Sequence, residues 1–320
     1  MEKNMLRCID SNIKLGIIIP AYKIDYLNQT LASIKSQTNN KFRLYVFDDN
    51  SPYDIKSCFD DYFSSNNNAI YIKFDNNLGQ INLASHWNRC INYVKEEWIW
   101  IFSDDDIMSP ICVEEFYNTI HKKKDKIKNV LRFNSYEIND NIIKKKPQYP
   151  QKLYANDFFK LLYSRQIDAR MPEFIFRREK LLEIGGIQNF DLAWRSDNAT
   201  VISMTFPSYI YTIERGEILW RLSENNISGN KKEKIINRKN KATVAFFNWI
   251  HSFYKENFIN YEMPITELFH IYMLHTEPIN NCISWKKILK DSFNYSSINS
   301  VYKWLLFIYM FYIFKRNNNF

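Results

Sequence analysis

The stretch Trp98-Ile-Trp-Ile-Phe-Ser-Asp-Asp-Asp106 joins an apolar, aromatic run directly to three consecutive aspartates. Such a run predicts a buried strand that ends where the acidic residues begin. Three earlier runs of the same kind occupy residues 15–20, 42–47 and 69–74. Between the runs, apolar residues recur at helical spacing in segments 26–37, 55–63 and 81–94. This alternation predicts an α/β fold with a mostly parallel sheet flanked by helices.

The predicted strands at 42–47 and 97–102 both end in acidic residues, Asp48-Asp49 and Asp104-Asp105-Asp106. Ligands of parallel α/β sheets bind outside the carboxyl ends of the strands, so these carboxylates are expected along one binding edge. Three adjacent carboxylates repel one another unless a cation offsets their charge. Mg²⁺ or Mn²⁺ does this through one or two carboxylates and leaves positions for phosphate oxygens. The alternative is a solvated acidic turn without a ligand.

The sequence contains no Walker A motif and no glycine-rich phosphate loop. A diphosphate at this edge would therefore be neutralised by a metal ion together with arginine or histidine side chains. Arg221, in Trp220-Arg-Leu-Ser223, is a candidate for that positive charge. The alternative for Arg221 is an ordinary surface ion pair.

Composition excludes several classes for this chain of 320 residues. An apolar content of 46% with 24% charged residues predicts a packed core rather than disorder. The 6 glycines and 9 prolines exclude a collagen-like chain. The 5 cysteines form no CxxC pair and no zinc-type cluster, so neither a disulfide framework nor a structural zinc site is expected. Without a secretory signal or a run of ~20 apolar residues, a cytoplasmic protein is expected.

The net charge of +8 is concentrated late in the chain, where residues 226–320 contain 13 Lys/Arg and 6 Asp/Glu. This region includes Trp304-Leu-Leu-Phe-Ile-Tyr-Met-Phe-Tyr-Ile-Phe314, between Lys303 and Lys315-Arg316. The segment is too short to cross a bilayer, but it suits a peripheral helix on an anionic membrane, at the inner face of the cell membrane. A buried core helix or a homodimer interface explains it equally well. No nucleic-acid-binding motif is present, so no nucleic-acid partner is expected.

Helical spacing continues from residue 231, where Ala242, Phe246, Trp249 and Phe253 share one predicted face. We therefore predict two domains: a catalytic domain at 1–228 and a helical C-terminal region at 229–320. Just before this boundary, residues 209–213 and 218–222 are predicted as two short strands.

Five segments of the first domain follow one another in a recognisable order: Ile17-Ile-Ile-Pro-Ala-Tyr22, Leu31-Ala-Ser-Ile-Lys-Ser-Gln-Thr38, Val46-Phe-Asp-Asp-Asn-Ser51, Asn77-Leu-Gly79 and Phe102-Ser-Asp-Asp-Asp106. In order and spacing they resemble family 2 glycosyltransferases of the GT-A fold. The later segments Ile184-Gly-Gly-Ile187 and Trp194-Arg-Ser-Asp197 resemble the family's Gly-Gly-Phe stretch and its downstream Glu-Asp pair. The resemblance reaches to about residue 228 and implies a Rossmann-like GT-A domain.

The resemblance implies a donor site built from the first two strand ends. Pro20, Ala21 and Tyr22 would lie against the nucleotide. In the family's Asp-Asp-Gly-Ser turn the carboxylates hold the base and the ribose, so Asp48 and Asp49 are assigned that role.

The resemblance also implies the metal site and the catalytic base. Asp104 and Asp106 occupy the ends of the family's Asp-x-Asp motif. Asp106 would hold the metal, Asp104 would bond the ribose or a metal-bound water, and Asp105 would contact the sugar. Asp197 stands where the family places its catalytic base.

The sequence departs from the family pattern at two places. The family commonly has an arginine shortly after the Asn-x-Gly turn, but here Gly79 is followed by Gln-Ile-Asn-Leu-Ala-Ser-His-Trp-Asn88. Either Asn82, His86 or Asn88 replaces that arginine, or the base is held differently. At the second place the usual Glu-Asp pair is Ser196-Asp197, which leaves one carboxylate as the base.

The resemblance implies an inverting glycosyltransferase that moves a sugar from a nucleoside diphosphate sugar to a saccharide acceptor. UDP is the expected nucleotide and Mn²⁺ or Mg²⁺ the expected metal. A lipid-linked acceptor in bacterial capsule, O-antigen or exopolysaccharide synthesis is the expected setting. Two alternatives stay open: a sugar nucleotidyltransferase, and a non-catalytic module that binds a nucleotide sugar or a glycan. The former typically has a glycine-rich loop where this chain has Pro20-Ala-Tyr-Lys23.

Overall fold

The computed structural model of the chain describes residues 12–139, 142–223, 226–257 and 308. The described residues fall into two compact units, one formed by 12–189 with 196–223 and the other by 190–195 with 226–257. The expected boundary after residue 228 stays a prediction. The tail segment 303–320, on which the membrane and dimer predictions depend, lies outside the described residues except for Ile308.

The first part of the chain alternates strands and helices, as the sequence predicts. Its elements are β1 (Leu15–Ala21), α1 (Leu27–Lys35), β2 (Phe42–Asp48), α2 (Ile55–Phe63), β3 (Ala69–Lys73), α3 (Leu83–Ile91) and β4 (Trp98–Ile101). Two of the helices begin at a capping side chain: Asp54 accepts a hydrogen bond from the backbone N–H of Ser57, and Asn82 from that of Ser85.

These four strands run parallel in the order β3-β2-β1-β4. The central strand β1 is apolar on both faces, and Ile17, Ile18 and Ile19 are fully buried. Helices cover both faces of such a strand, which is why its sequence is a continuous apolar run rather than an alternating one. The register pairs Ala21 with Asp48, so β1 and β2 end side by side.

The second part of the first unit is less regular. Its elements are β5 (Ile107–Met108), α4 (Cys112–Lys122), β6 (Val130–Asn139), β7 (Ile142–Lys145), β8 (Lys152–Tyr154), α5 (Ala155–Tyr163), β9 (Phe174–Arg177), α6 (Arg178–Glu183), α7 (Ser196–Thr205) and β10 (Tyr209–Arg221). Strand β9 pairs antiparallel with both β4 and β6, and it continues the sheet from the parallel half. Within the described chain, ten strands thus form one mixed, mostly parallel sheet.

The two short strands predicted at 209–213 and 218–222 are one strand, β10. The polar residues Glu214–Gly216 interrupt the apolar pattern but not the strand itself, since β10 pairs with β6 on both sides of them. The register shifts between Ile213 and Glu217, and Gly216 takes a φ of +89°, which suits glycine.

Aromatic side chains fill much of the core under β4 and β6. Trp98, Trp100 and Phe133 are fully buried, and the rings of Trp100 and Phe133 stack with centroids 5.2 Å apart. The indole N–H of Trp100 donates to the carbonyl of Pro172 at 2.7 Å. The high aromatic content therefore serves, in large part, to pack this core.

The second unit contains α8 (Glu233–Glu256), a long helix. Phe190 packs against Phe246 and Trp249, and the Arg238 guanidinium donates two hydrogen bonds to Asp191. Among the residues described, no helix has both the length and the apolar character needed to cross a membrane.

Candidate active site

Hydrogen bonds fasten the ends of β1, β2 and β4 to one another. The backbone N–H of Asp49 donates to the carbonyl of Ala21 at 3.0 Å, and the Ser51 hydroxyl donates to the carbonyl of Tyr22 at 2.7 Å. Asp104 Oδ2 accepts the backbone N–H groups of Tyr22 and Lys23, each at 3.0 Å. The structure therefore brings together Ala21, Tyr22, Asp49 and Asp104, as expected for residues at one edge of the sheet.

Asp48 is fully buried and uses both carboxylate oxygens within the protein. Oδ1 accepts the backbone N–H of Ser51 at 2.7 Å, and Oδ2 accepts the Tyr71 hydroxyl at 2.6 Å. The Lys73 ammonium lies 3.6 Å from Oδ2. Burial and this hydrogen bond to Asp48 raise the pKa of Tyr71. Asp48 thus organises the turn after β2, and its role toward a nucleotide stays a prediction.

Asp49 is almost fully buried and is bound by the Asn77-Leu-Gly79 turn. The backbone N–H of Leu78 donates to Oδ1 at 3.0 Å, and that of Gly79 donates to Oδ2 at 2.7 Å. A Cβ atom at Gly79 would lie 2.6 Å from Oδ2, so only glycine allows the backbone this close. Burial raises the pKa of Asp49, and the two backbone donors and Arg89 oppose that rise.

Arg89 binds Asp49, although the sequence does not predict it as a residue of the site. Its guanidinium donates to Asp49 Oδ1 and to the side chain of Asn76, and it lies 3.6 Å above the ring centre of Phe74. The family pattern has its arginine close after Gly79, whereas Arg89 lies in the last turn of α3. Helical spacing indicates its position, because Asn82, His86 and Arg89 are separated by four and three residues and so lie on one face of α3.

Asn82, His86 and Asn88, the residues expected in place of the family arginine, each have partners within the chain, and their role toward the base stays a prediction. Asn82 caps α3, and Asn88 binds the backbone of Ile187 instead. His86 is buried, with Nδ1 at 2.9 Å from Arg89 and 3.3 Å from Asp49 Oδ1. Burial lowers the pKa of His86 to about 3, and the neighbouring Arg89 charge adds to the effect. His86 is therefore neutral and packs with its edge toward Phe74.

Asp106 is fully buried at the start of β5 and is held from two sides. Its Oδ1 accepts the backbone N–H of Arg221 at 2.8 Å, and its carbonyl accepts the Thr30 hydroxyl at 2.8 Å. Its Oδ2 is also buried and has no hydrogen-bond partner in the described part of the chain, although the Ser103 side chain is close enough to the carboxyl group to lower its pKa. Burial and the adjacent Asp105 raise the pKa of Asp106 well above its ordinary value.

The residues of this loop fit a hard divalent cation. Asp104 and Asp106 each use one oxygen to bind backbone N–H groups, and Asp106 retains a buried oxygen without a donor. A cation would satisfy that oxygen and offset the repulsion between the aspartates. In the described part of the chain no three acidic, histidine or cysteine side chains surround one point. Mg²⁺ or Mn²⁺ typically takes one or two carboxylates and completes its shell with water and phosphate oxygens.

Arg221 is buried rather than exposed, which corrects the surface ion pair considered as its alternative. Nε donates to the carbonyl of Asp105 at 2.9 Å, and Nη2 donates to the side chain of Gln29 at 2.8 Å. The guanidinium also lies 3.9 Å from the ring centre of Tyr26. Arg221 thus supports the aspartate loop from the end of β10, and its role toward a diphosphate stays a prediction.

Asp197 lies in the first turn of α7, a helix that packs against β6 and α5. At the far end of α7, the carbonyl of Met204 accepts a hydrogen bond from Asn129, the residue before β6. The C-terminal end of α7 therefore lies beside the start of β6. The Tyr163 hydroxyl donates to Asn198, the residue after Asp197.

The mostly parallel sheet flanked by helices, with aspartates at its carboxyl edge, is a GT-A-like fold. The family model for Glycosyl transferase family 2 matches residues 16–185, which is more than half of the chain. The chain therefore belongs to glycosyl transferase family 2.

Two solved structures illustrate the similarity of fold. TarS 1-349 from S. aureus, in complex with UDP-GlcNAc, has 15% sequence identity and a TM-score of 0.60, over 81% of this chain and 70% of that chain. The mannosyltransferase PcManGT from Pyrobaculum calidifontis, in complex with GDP-Man and Mn²⁺, has 13% identity and a TM-score of 0.54, over 94% of this chain and 80% of that chain. At these identities the likeness shows the fold alone. Among curated proteins, no sequence matches this chain.

Proposed function

We propose that this glycosyltransferase is metal-dependent and inverting, and that it transfers a sugar from a nucleoside diphosphate sugar to a saccharide acceptor. The observation that carries the proposal is the pair Asp104 and Asp106. Each is fixed by backbone N–H groups, while the buried Asp106 Oδ2 has no donor among the described residues. Such an oxygen is costly unless a cation binds there. The complexes of TarS with UDP-GlcNAc and of PcManGT with GDP-Man and Mn²⁺ support a nucleotide sugar and a metal.

The ends of β1 and β2 bind the donor nucleotide in this proposal. Pro20, Ala21 and Tyr22 lie along it, and Asp48 and Asp49 hold its base and ribose. Asp49 is already oriented by Leu78, Gly79 and Arg89, so it needs no rearrangement when a ligand arrives. UDP is the proposed nucleotide, although the GDP-Man complex of PcManGT makes GDP the first alternative.

The aspartate loop binds the donor diphosphate in this proposal. Asp104 and Asp106 hold Mn²⁺ or Mg²⁺, which when bound offsets the negative charge that grows on the leaving diphosphate. Asp105 contacts the transferred sugar. Arg221 holds the loop in place and adds a positive charge beside it.

Asp197 acts as the general base of the transfer. An acceptor hydroxyl attacks the anomeric carbon from the face opposite the diphosphate, the bond to the diphosphate oxygen breaks, and the configuration inverts. The Asp197 carboxylate takes the proton of the hydroxyl as the new glycosidic bond forms. The nucleoside diphosphate leaves with the electron pair of the broken bond.

The acceptor proposed is a lipid-linked saccharide of bacterial capsule, O-antigen or exopolysaccharide synthesis. This setting places the protein in the cytoplasm, with peripheral contact at the inner face of the cell membrane through the segment 303–320. A homodimer through the same segment is the alternative. Both ideas rest on the sequence, since that segment lies outside the described residues apart from Ile308.

The test is turnover of UDP-, GDP-, dTDP- and CDP-sugars with Mn²⁺, measured for the natural protein and for Asp197→Asn. We expect Asp197→Asn to bind the donor normally and to lose on the order of 10²–10⁴ in rate, as expected for a missing general base. The matched control is Asp157→Asn, which removes an exposed acid from the first turn of α5 and should leave the rate unchanged. An Asp197→Asn variant with the natural rate would refute the base assignment. Donor binding without turnover in the natural protein would favour the non-catalytic module.

A further inference from the structure

The Gly185-Gly186 turn after α6 is built around the side chain of Asn88, a residue of α3. Asn88 Nδ2 donates to the carbonyl of Ile187 at 3.0 Å, and the backbone N–H of Ile187 donates to Asn88 Oδ1 at 2.7 Å. One side-chain amide therefore satisfies both backbone groups of a residue 99 positions away in the chain. A pair of hydrogen bonds on one residue fixes orientation as well as distance.

The glycine at position 186 is required by this contact. Gly186 takes a φ of +86°, and a Cβ atom there would lie 2.3 Å from Asn88 Oδ1. Gly185 has a similar φ of +83°, but a Cβ atom there would meet nothing within 4 Å. The second glycine thus allows the backbone to approach Asn88, while the first serves the turn alone.

One hydrogen bond connects the residue after Ile187 to α7, and a second lies within the first turn of α7. The backbone N–H of Gln188 donates to the Thr200 hydroxyl at 2.9 Å, and that hydroxyl donates to the carbonyl of Ser196 at 2.7 Å. Ser196 is the first residue of α7, and Asp197 is the second. The chain after the turn is thus hydrogen-bonded to Thr200, whose hydroxyl reaches back to the end of α7 that carries Asp197.

On α3, the residue after Asn88 is Arg89, which binds Asp49. Helix α3 thus makes two contacts. Through Arg89 it binds the carboxylate of Asp49, and through Asn88 it binds the turn before α7. In the described chain, the side-chain hydrogen bonds of Asn88 go to Ile187 and not to Asp49 or Asp197. An effect of substituting Asn88 on the reaction would therefore act through the turn.

We propose that Asn88 is a positioning residue, which holds the start of α7 so that Asp197 is aligned with a donor bound at the end of β2. The proposal rests on the proposed function, because it assigns Asn88 a role through Asp197 as the base. A displacement of about 1 Å is enough to slow a positioned proton transfer on the order of 10²-fold.

The test uses Asn88→Asp, which keeps the size of the side chain and an acceptor for Ile187, but loses the donor. Asn92→Asp is the matched control, since Asn92 is exposed at the C-terminal end of the same helix. We measure kcat with the sugar nucleotide that the panel shows to be turned over, the Kd for UDP with Mn²⁺, and both again in the Asp197→Asn background.

We expect Asn88→Asp to lower kcat at least tenfold, to leave the Kd for UDP within about twofold, and to lower kcat less than twofold once Asp197 is already replaced. Asn92→Asp should match the natural protein in all of these. An equal loss of kcat in both backgrounds, or a kcat unchanged by Asn88→Asp, would overturn the proposal. If Asp197→Asn alone leaves kcat unchanged, the base assignment is what has failed, and Asn88 has no base to position.

Discussion

The buried carboxylates of Asp49 and Asp106 are satisfied to different degrees. Asp49 receives hydrogen bonds on both oxygens, from two backbone N–H groups and from Arg89. Asp106 receives one on Oδ1 from Arg221, while no described group donates to Oδ2. In the proposed function, Asp49 is a fixed part of the donor site. The unpartnered oxygen of Asp106 would bind a cation there, at a cost in the stability of the unliganded protein.

Because His86 is buried and neutral, we expect the free energy of unfolding to fall as the pH is lowered. Its pKa is lowered from an ordinary value of 6.5 to about 3 by burial. Below about pH 6.5 the unfolded chain therefore takes up a proton that the folded protein excludes, so stability is lost as the pH falls. Relative to His86→Gln, the natural protein should lose about 2 kcal/mol of unfolding free energy between about pH 7 and pH 5.

Urea unfolding at both pH values checks this expectation. His121→Asn is the control, because His121 is exposed in the last turn of α4 and should leave the pH dependence of the natural protein intact. Parallel pH curves for the natural protein and His86→Gln would contradict the account of His86 as a buried neutral residue.

At the scale of residues, the sequence predicts where the acidic residues of the site lie better than it predicts which side chains bind them. Asp48, Asp49 and Asp104 follow apolar runs directly, and the end of a strand is easy to locate from such runs. The partner of Asp49 is not easy to locate from the sequence. Arg89 reaches Asp49 because of the orientation of α3 and the turn at Gly79, which are set by tertiary structure. Arg221 is similar, since nothing in its neighbourhood along the chain indicates that it binds Asp105 and Gln29.

At the scale of elements, the turn after α6 allows a matched pair of substitutions. Gly185→Ala and Gly186→Ala both place a side chain at positive φ, which costs about 1–3 kcal/mol. Only Gly186→Ala also places a Cβ atom against Asn88. We expect Gly186→Ala to be the more destabilising by about 1–2 kcal/mol in urea unfolding. Equal losses for the two variants would contradict the close contact between Gly186 and Asn88.

Helices and strands can be predicted from the sequence where the spacing of apolar residues is regular. The pairing of the strands cannot be predicted in this way. The alternation of the first hundred residues predicts β1 to β4 and the helices between them. The four residues of β9 give no period, so neither its existence nor its antiparallel place between β4 and β6 could be predicted. The joining of the two predicted strands into β10 depends on a register shift opposite β6, which is a tertiary contact.

At the scale of the whole molecule, the charge distribution predicts where an anionic surface would bind. Residues 226–320 carry an excess of cations, 13 against 6 acidic residues, with aromatic residues between them. Each cation near an anionic surface contributes about 1 kcal/mol. Removal of residues 303–320 should therefore release the protein from anionic liposomes in co-sedimentation, while zwitterionic liposomes should bind neither form. Co-sedimentation that survives the truncation would count against this membrane contact.

In the proposed function, Asp104 and Asp106 hold a divalent cation that binds the donor diphosphate. Calorimetric titration of UDP into the natural protein and into Asp106→Asn, with and without Mn²⁺, measures this dependence on the cation. We predict that Mn²⁺ tightens UDP binding at least tenfold in the natural protein and has no effect in Asp106→Asn, since only the former keeps the buried carboxylate oxygen. An equal effect of Mn²⁺ on both proteins, or none on the natural protein, would contradict the claim.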